Sequence, residues 1–201
     1  MGIDIKNEKI YEIINTIKHL NDKFDDVKPF TDETGLVLFG KEPMTDEEIN
    51  IFKKSYKDKI PPKLNFEKEK RKYRYFYCKI WESNKPILYF LLLNPSTTNI
   101  DHMDPTVNNC YELASKKYRS RYGGFAVVNL FALRSPKTEI LNTIRKSNKF
   151  DFSTNLEFLE KLFKDGDIEI VIAWGLDKKY SAEKETVKGF HQQVCVNLQK
   201  L

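Results

Sequence analysis

Apolar side chains first recur at the spacing of a helix: Ile10, Ile13, Ile14, Ile17 and Leu20, within residues 5 to 24, fall on one stripe of a 3.6-residue period. The pattern predicts an amphipathic helix that packs by one face. A short apolar run, GLVLFG at 35 to 40, follows as a strand candidate. Thr45-Asp46-Glu47-Glu48 then reads as a capping box in which Thr45 and Glu48 satisfy each other's free backbone donors, with Ile49, Phe52 and Tyr56 on one face of the helix it starts. Pro61-Pro62 and the charged LNFEKEKRK stretch interrupt all periodicity, which places the expected boundary within 58 to 70. Residues 1 to 69 are read as a mostly helical N-terminal appendage and 70 to 201 as the main domain.

From Tyr73 the texture changes. YRYFYCKIW, a turn at ESNKP and ILYFLLL predict a hairpin leading into a fully buried central strand. Asp104 is an N-cap with Pro105 at the first helical position, and Val107, Cys110, Tyr111 and Ala114 keep helical spacing to about Tyr118. Gly123-Gly124 ends that helix and FAVVNLF resumes an apolar strand. Helices are expected at 137 to 147, 153 to 164 and 180 to 199, and IEIVIAW as a third buried strand. This alternation argues a three-layer α/β/α sandwich with a mainly parallel central sheet, in which strands near 88 to 93, 125 to 129 and 168 to 173 are adjacent and parallel.

Composition narrows the class. With 40% hydrophobic residues over 201 positions the chain can bury a substantial core. No apolar run reaches about 18 residues, and Met1-Gly2-Ile3-Asp4 leads into a charged stretch rather than the apolar segment of a signal peptide. A cytoplasmic protein without a membrane partner is expected. Cys78, Cys110 and Cys195 stand far apart with no Cys-x-x-Cys pair, so they build neither a zinc site nor an iron–sulfur cluster and read as buried free thiols. His102 and His191 lack a partner at metal-ligand spacing, and neither metal nor cofactor is expected.

Charge adds a candidate partner. The net charge is only +5, but Lys68 to Lys79 (KEKRKYRYFYCK) holds six basic residues against one acidic, and Lys116 to Tyr122 (KKYRSRY) holds four against none. On charge alone, two solvated faces fit these clusters as well as a polyanion does. Under the second reading Lys70, Arg71, Lys72, Arg74, Lys116, Lys117, Arg119 and Arg121 contact DNA or a nucleotide.

Ligands of open α/β sheets bind beyond the carboxyl ends of the strands, where loops and helix N-termini converge. Three loops are predicted there: Asn94-Pro95-Ser96-Thr97-Thr98, Asn129 to Arg134, and Trp174-Gly175. Each offers groups suited to a planar, hydrogen-bonding ligand: the Asn94 and Asn129 amides, the Ser96 and Thr97 hydroxyls, the Arg134 guanidinium, and the faces of Phe131 and Trp174. Each also has a plain reading. Asn-Pro-Ser is ordinary turn chemistry, a buried asparagine commonly serves the backbone, tryptophan commonly packs a core, and Arg134 fits a partner such as Asp104. Recurrence at three strand ends favours a site.

Tyr73-Arg74-Tyr75 with Trp81, LLLNPSTT with Asp104-Pro105-Thr106, Tyr122-Gly123-Gly124, VVNLFALRSP and IAWG resemble, in this order and spacing, the bacterial and phage domain-of-unknown-function family 1643 over roughly residues 70 to 180. Leu93-Asn94-Pro95-Ser96 and Val128-Asn129-Leu130 through Arg134-Ser135-Pro136 more distantly resemble two motifs of the mismatch-specific branch of the uracil-DNA glycosylase superfamily. That resemblance implies a glycosylase-like fold. It also implies that Asn94 orients water toward a sugar anomeric carbon, that Asn129 reads the edge of a flipped base, and that Phe131 stacks on it. Both families also lead one to expect a His-Pro loop after a further strand, a segment not found on the way to VCVNLQKL, unless His102 or His191 substitutes in space. Losing a donor aimed at developing charge typically costs about 10²–10³ in rate. Two functions follow as expectations: an N-glycosidic hydrolase acting on a base in DNA or a nucleoside, or a phage or bacterial binding module that captures a nucleotide or protein partner without chemistry.

Overall fold

In the computed structural model the described residues are 28–29, 34–50, 71–96, 98, 102–135, 152–164 and 168–173. The helices expected at 5 to 24, 137 to 147 and 180 to 199 lie outside them. Six strands, β1 (Lys28–Pro29), β2 (Thr34–Phe39), β3 (Arg74–Ile80), β4 (Ile87–Leu92), β5 (Gly124–Asn129) and β6 (Glu169–Ile172), form one sheet of order β1-β2-β3-β5-β4-β6. Two helices are described in full, α1 (Pro105–Glu112), which runs on as one wide turn over Leu113–Lys117, and α2 (Phe152–Lys164).

The three apolar runs expected to be adjacent and parallel are so: β4 pairs parallel with β5 on one side and with β6 on the other. The sheet as a whole is mixed rather than mainly parallel, because β1–β2, β2–β3 and β3–β5 are antiparallel. Strand β2, counted with the N-terminal segment from sequence, belongs to the same sheet: Leu36 stands opposite Cys78. The capping box forms as expected, with Thr45 N donating to Glu48 Oε2 (2.8 Å) and Glu48 N donating to Thr45 Oγ1 (3.2 Å).

The expected hairpin between β3 and β4 does not form. β5, which arrives more than thirty residues later, inserts between them, with Gly124 opposite both Ile80 and Ile87. The plug is Gly123, whose carbonyl accepts from Trp81 N and Glu82 N (both 2.8 Å) while its own N donates to Pro86 O (2.9 Å). Trp81 Nε1 adds a bond to Tyr122 O (3.1 Å). The connection at 81–86 therefore spans two strand spacings. Local pattern predicts two strands and a turn, but not what comes to lie between them.

Strand alternation sorts the core into two layers. Leu88, Phe90 and Leu92 of β4 with Phe125 and Val127 of β5 face α1 through Val107, Cys110 and Ala114. Ile87, Tyr89 and Leu91 with Ala126 and Val128 face α2 through Phe158, Leu159 and Leu162. The helices thus cover opposite faces, an α/β arrangement in three layers. Cys78 and Cys110 are free and buried, and burial pushes their thiols up to about 12 and about 11. Since the thiolate is the nucleophile, both should resist iodoacetamide in the native state and be alkylated after unfolding, as peptide mass mapping would show; native labelling of either at the unfolded rate would contradict this packing. No helix among the described residues is long and apolar enough to cross a membrane.

Candidate functional site

The connections leaving β4 and β5 head to opposite faces, one to α1 and the other toward α2. Adjacent parallel strands whose exits diverge make a topological switch point, the usual place for a ligand in this fold class. Here the divergence is delayed. The ladder continues past the strand ends through Leu130 N to Leu92 O, Phe131 N to Leu93 O and Ser135 N to Pro95 O (each 2.9 Å), while Arg74 N donates to Ala132 O and Arg134 N to Lys72 O (both 2.9 Å). Residues 130–135 therefore lie between the start of β3 and the elbow at 93–98.

Side chains tie the elbow down. Asn94 Nδ2 donates to Ser135 O (2.8 Å) and Pro95 O (3.2 Å), and Arg134 Nε donates to Ser96 O (3.1 Å). With Nδ2 so engaged, the acceptor oxygen of Asn94 is held in a fixed orientation at a half-buried rim shared with Ser96. Of the residues predicted for the site, Asn94, Ser96 and Arg134 are brought together.

Asn129 lies one layer deeper and is 1% exposed. Its Oδ1 accepts from Arg74 Nη2 (3.2 Å), and Arg74 Nη1 donates to Thr98 O (3.3 Å). Thr98 Oγ1 in turn donates to Asp104 Oδ2 (2.7 Å), whose Oδ1 accepts from Thr106 N (2.9 Å) and Val107 N (3.0 Å) as the cap of α1. Thus a continuous chain of bonds runs from the end of β5 through Arg74 and the elbow to the helix start.

Arg74 reaches this layer because of a bulge. Phe39 is opposite Arg74 and Leu38 opposite Phe76, so Tyr75 is an extra residue in β3. Tyr75 and Phe76 both join the α2-side core, and the guanidinium of Arg74 turns to the α1 side with Asn129 and Asp104. Burial lowers Arg74 to about 10, with Asp104 acting against that and the nearby Arg134 adding to it.

This corrects the reading of Arg74 and Lys72 as part of an exposed basic face. Arg74 is 1% exposed and Lys72 8%. Lys72 Nζ is paired with Glu42 (2.7 Å) and Glu48 (3.2 Å); burial pulls its ammonium down, but those carboxylates outweigh it and leave it raised. Arg71 is half-buried, its guanidinium 4.8 Å from the centre of the Phe39 ring, with that of Arg134 at 5.4 Å. Lys116, Lys117, Arg119 and Arg121 are exposed, but at the amino end of β5. Across a six-residue strand that is roughly 17 Å or more from Asn129. Lys116 is paired with Glu112 and Arg121 with Glu169, and Arg119 lies over Trp81.

Phe131 does not reach the rim. It is buried in the α2-side core, on the opposite face from Asn129. Thr97, Trp174 and Lys70 lie outside the described residues. Sequence reasoning also missed Asn155 of α2, 2% exposed, whose Nδ2 donates to the carbonyls of Asn129 (3.0 Å) and Leu130 (2.8 Å) and so fixes the end of β5. The available signal was a polar residue in register with Phe158, Leu159 and Leu162 on an apolar helix face.

A family model described as "Protein of unknown function (DUF1643)" matches residues 74–201, further toward the C-terminus than the motifs that suggested it. No curated protein and no solved structure matches the chain.

Proposed function

We propose a function for this chain, which belongs to the family of proteins of unknown function DUF1643, from the geometry of its switch point: it binds a nucleobase-bearing ligand, a nucleotide or a base in DNA, and cleaves the N-glycosidic bond as the glycosylase-like motifs suggest. The observation that carries this reading is the cross-tied elbow. Asn94 stands at the carboxyl end of the central parallel strand with its amide nitrogen locked on Ser135 O, which leaves a preorganised acceptor beside two buried guanidiniums. In the reaction Asn94 Oδ1 would accept from a water whose oxygen bonds to the sugar C1′. The C1′–N bond breaks with its electron pair passing to the base, and the water's proton ends on the released base. His102, half-buried on the same elbow, is the histidine placed nearest to support that departure.

The test is base release from deoxyoligonucleotides carrying uracil, hypoxanthine or mismatched bases, and from the corresponding nucleosides, with wild type and Asn94→Ala. The expected result is release by wild type and a loss of about 10²-fold or more in the variant. Its melting temperature should fall only slightly, because a hydrogen bond contributes about 1 kcal/mol net. Binding without release by wild type would move the assignment to a non-catalytic binding module, and neither binding nor release would sink the proposal.

A further inference from the structure

We infer that the guanidiniums of Arg74 and Arg134, with the Asn129 amide, form a site for a phosphate oxyanion of the ligand; the inference rests on the nucleotide-binding reading above and names the group by which the ligand is held. Charge is the first argument. Two guanidiniums, 1% and 3% exposed, share one buried carboxylate among the described residues, Asp104, and its oxygens accept from Thr106 N, Val107 N and Thr98 Oγ1 rather than from an arginine. The buried layer therefore carries an excess positive charge, and desolvated charge without a counter-charge is strongly unfavourable.

Hydrogen bonding gives the second. Arg74 donates to neutral acceptors at 3.3 Å (Thr98 O) and 3.2 Å (Asn129 Oδ1), and Arg134 to Ser96 O at 3.1 Å and Arg71 O at 3.2 Å. Charge-assisted bonds to an oxyanion run about 2.7–2.9 Å and are roughly twice as strong. In addition, Arg74 Nε and Asn129 Nδ2 are buried and donate to nothing among the described residues. Because Arg74 occupies Asn129 Oδ1, that amide has only donors left, so what it meets must be an acceptor. A phosphate supplies negative charge and three or more acceptor oxygens at once. The amino end of α1 is not the source of the site, since Asp104 already fills it.

The test uses the full chain with inorganic phosphate as probe, read by thermal unfolding and calorimetry at constant ionic strength against chloride, in wild type, Asn129→Asp and Arg74→Gln. Phosphate should raise the wild-type melting temperature progressively with concentration. Asn129→Asp places a carboxylate within reach of Arg74, so it should melt higher than wild type without phosphate and bind phosphate at least tenfold more weakly. That variant decides the matter even if Arg74→Gln does not fold. Equal melting of wild type in phosphate and chloride, or unchanged phosphate affinity in Asn129→Asp, overturns the site. Nucleosides binding as tightly as nucleotides would also overturn it while leaving the proposed function standing; phosphate binding with no preference for any nucleobase would uphold it and sink that function. Comparison of a 5′-mononucleotide with an oligonucleotide then assigns the phosphate to a free nucleotide or to a nucleic-acid backbone, and either source upholds the site.

Discussion

Replacing Asp104 by alanine should cost about 3–5 kcal/mol of stability, the loss typical of removing one member of a buried charged arrangement. One carboxylate serves three neighbours. It caps α1 through Thr106 N and Val107 N, holds the elbow through Thr98 Oγ1, and is the counter-charge that offsets part of the burial cost of Arg74. The cap alone accounts for about 1 kcal/mol. The remainder comes from leaving the guanidinium of Arg74 in a buried layer with no negative charge near it. Asp104→Asn keeps an acceptor for the cap and loses the charge, so it should lie between wild type and the alanine variant. Urea unfolding at neutral pH measures all three. A loss confined to about 1 kcal/mol in Asp104→Ala would show that the carboxylate is a helix cap and nothing more.

Gly123→Ala should be comparably damaging, at least about 3 kcal/mol. A Cβ there would stand 1.7 Å from the carbonyl oxygen of Glu82, 2.7 Å from its carbon and 2.9 Å from Lys85 Cβ. Two of those atoms are backbone, in a connection that Gly123 itself holds by three hydrogen bonds, so relief requires moving the turn at 81–86 away from the end of β5. Gly124→Ala is the matched control: its nearest approach is 2.9 Å, to Lys79 O, and its cost should be smaller. Thermal unfolding of the pair checks the order. Equal melting temperatures for Gly123→Ala and wild type would mean that the plug is not packed as described.

What could be read from sequence was local or periodic. The Thr45–Glu48 box and the Asp104–Pro105 helix start are decided by residues three or four apart, and ILYFLLL, FAVVNLF and IEIVIAW announce buried strands by composition alone. What could not be read depended on partners distant in the chain. Nothing near Trp81 or Pro86 says that β5 will lie between β3 and β4. In KEKRKYRYFYCK, Arg74 and Lys72 look like solvent-facing charge, yet the extra residue Tyr75 reverses the alternation and the sheet buries them. Phe131 was misplaced for a related reason: two residues beyond Asn129, past the regular strand, it joins the α2-side core while Asn129 faces α1. Of the candidate site, the asparagine on the elbow and the arginine tied to Ser96 were legible as strand-end polar residues. The layer beneath them was not, because its members come from β3, β5, the elbow and a helix cap.

The insertion of β5 also sets an order of events in folding. β3 and β4 leave synthesis close together but cannot close on each other as neighbouring strands of a hairpin do, because the slot between them belongs to residues 124–129. Until that segment arrives, both strands present an unpaired apolar edge, the kind of surface that seeds association between chains. The middle of the sheet is thus completed by contacts between residues far apart in sequence, which are slow to form because loop closure must be paid before any contact rewards it. A nascent chain ending before Asn129 carries two open edges where the finished protein has its most buried strand.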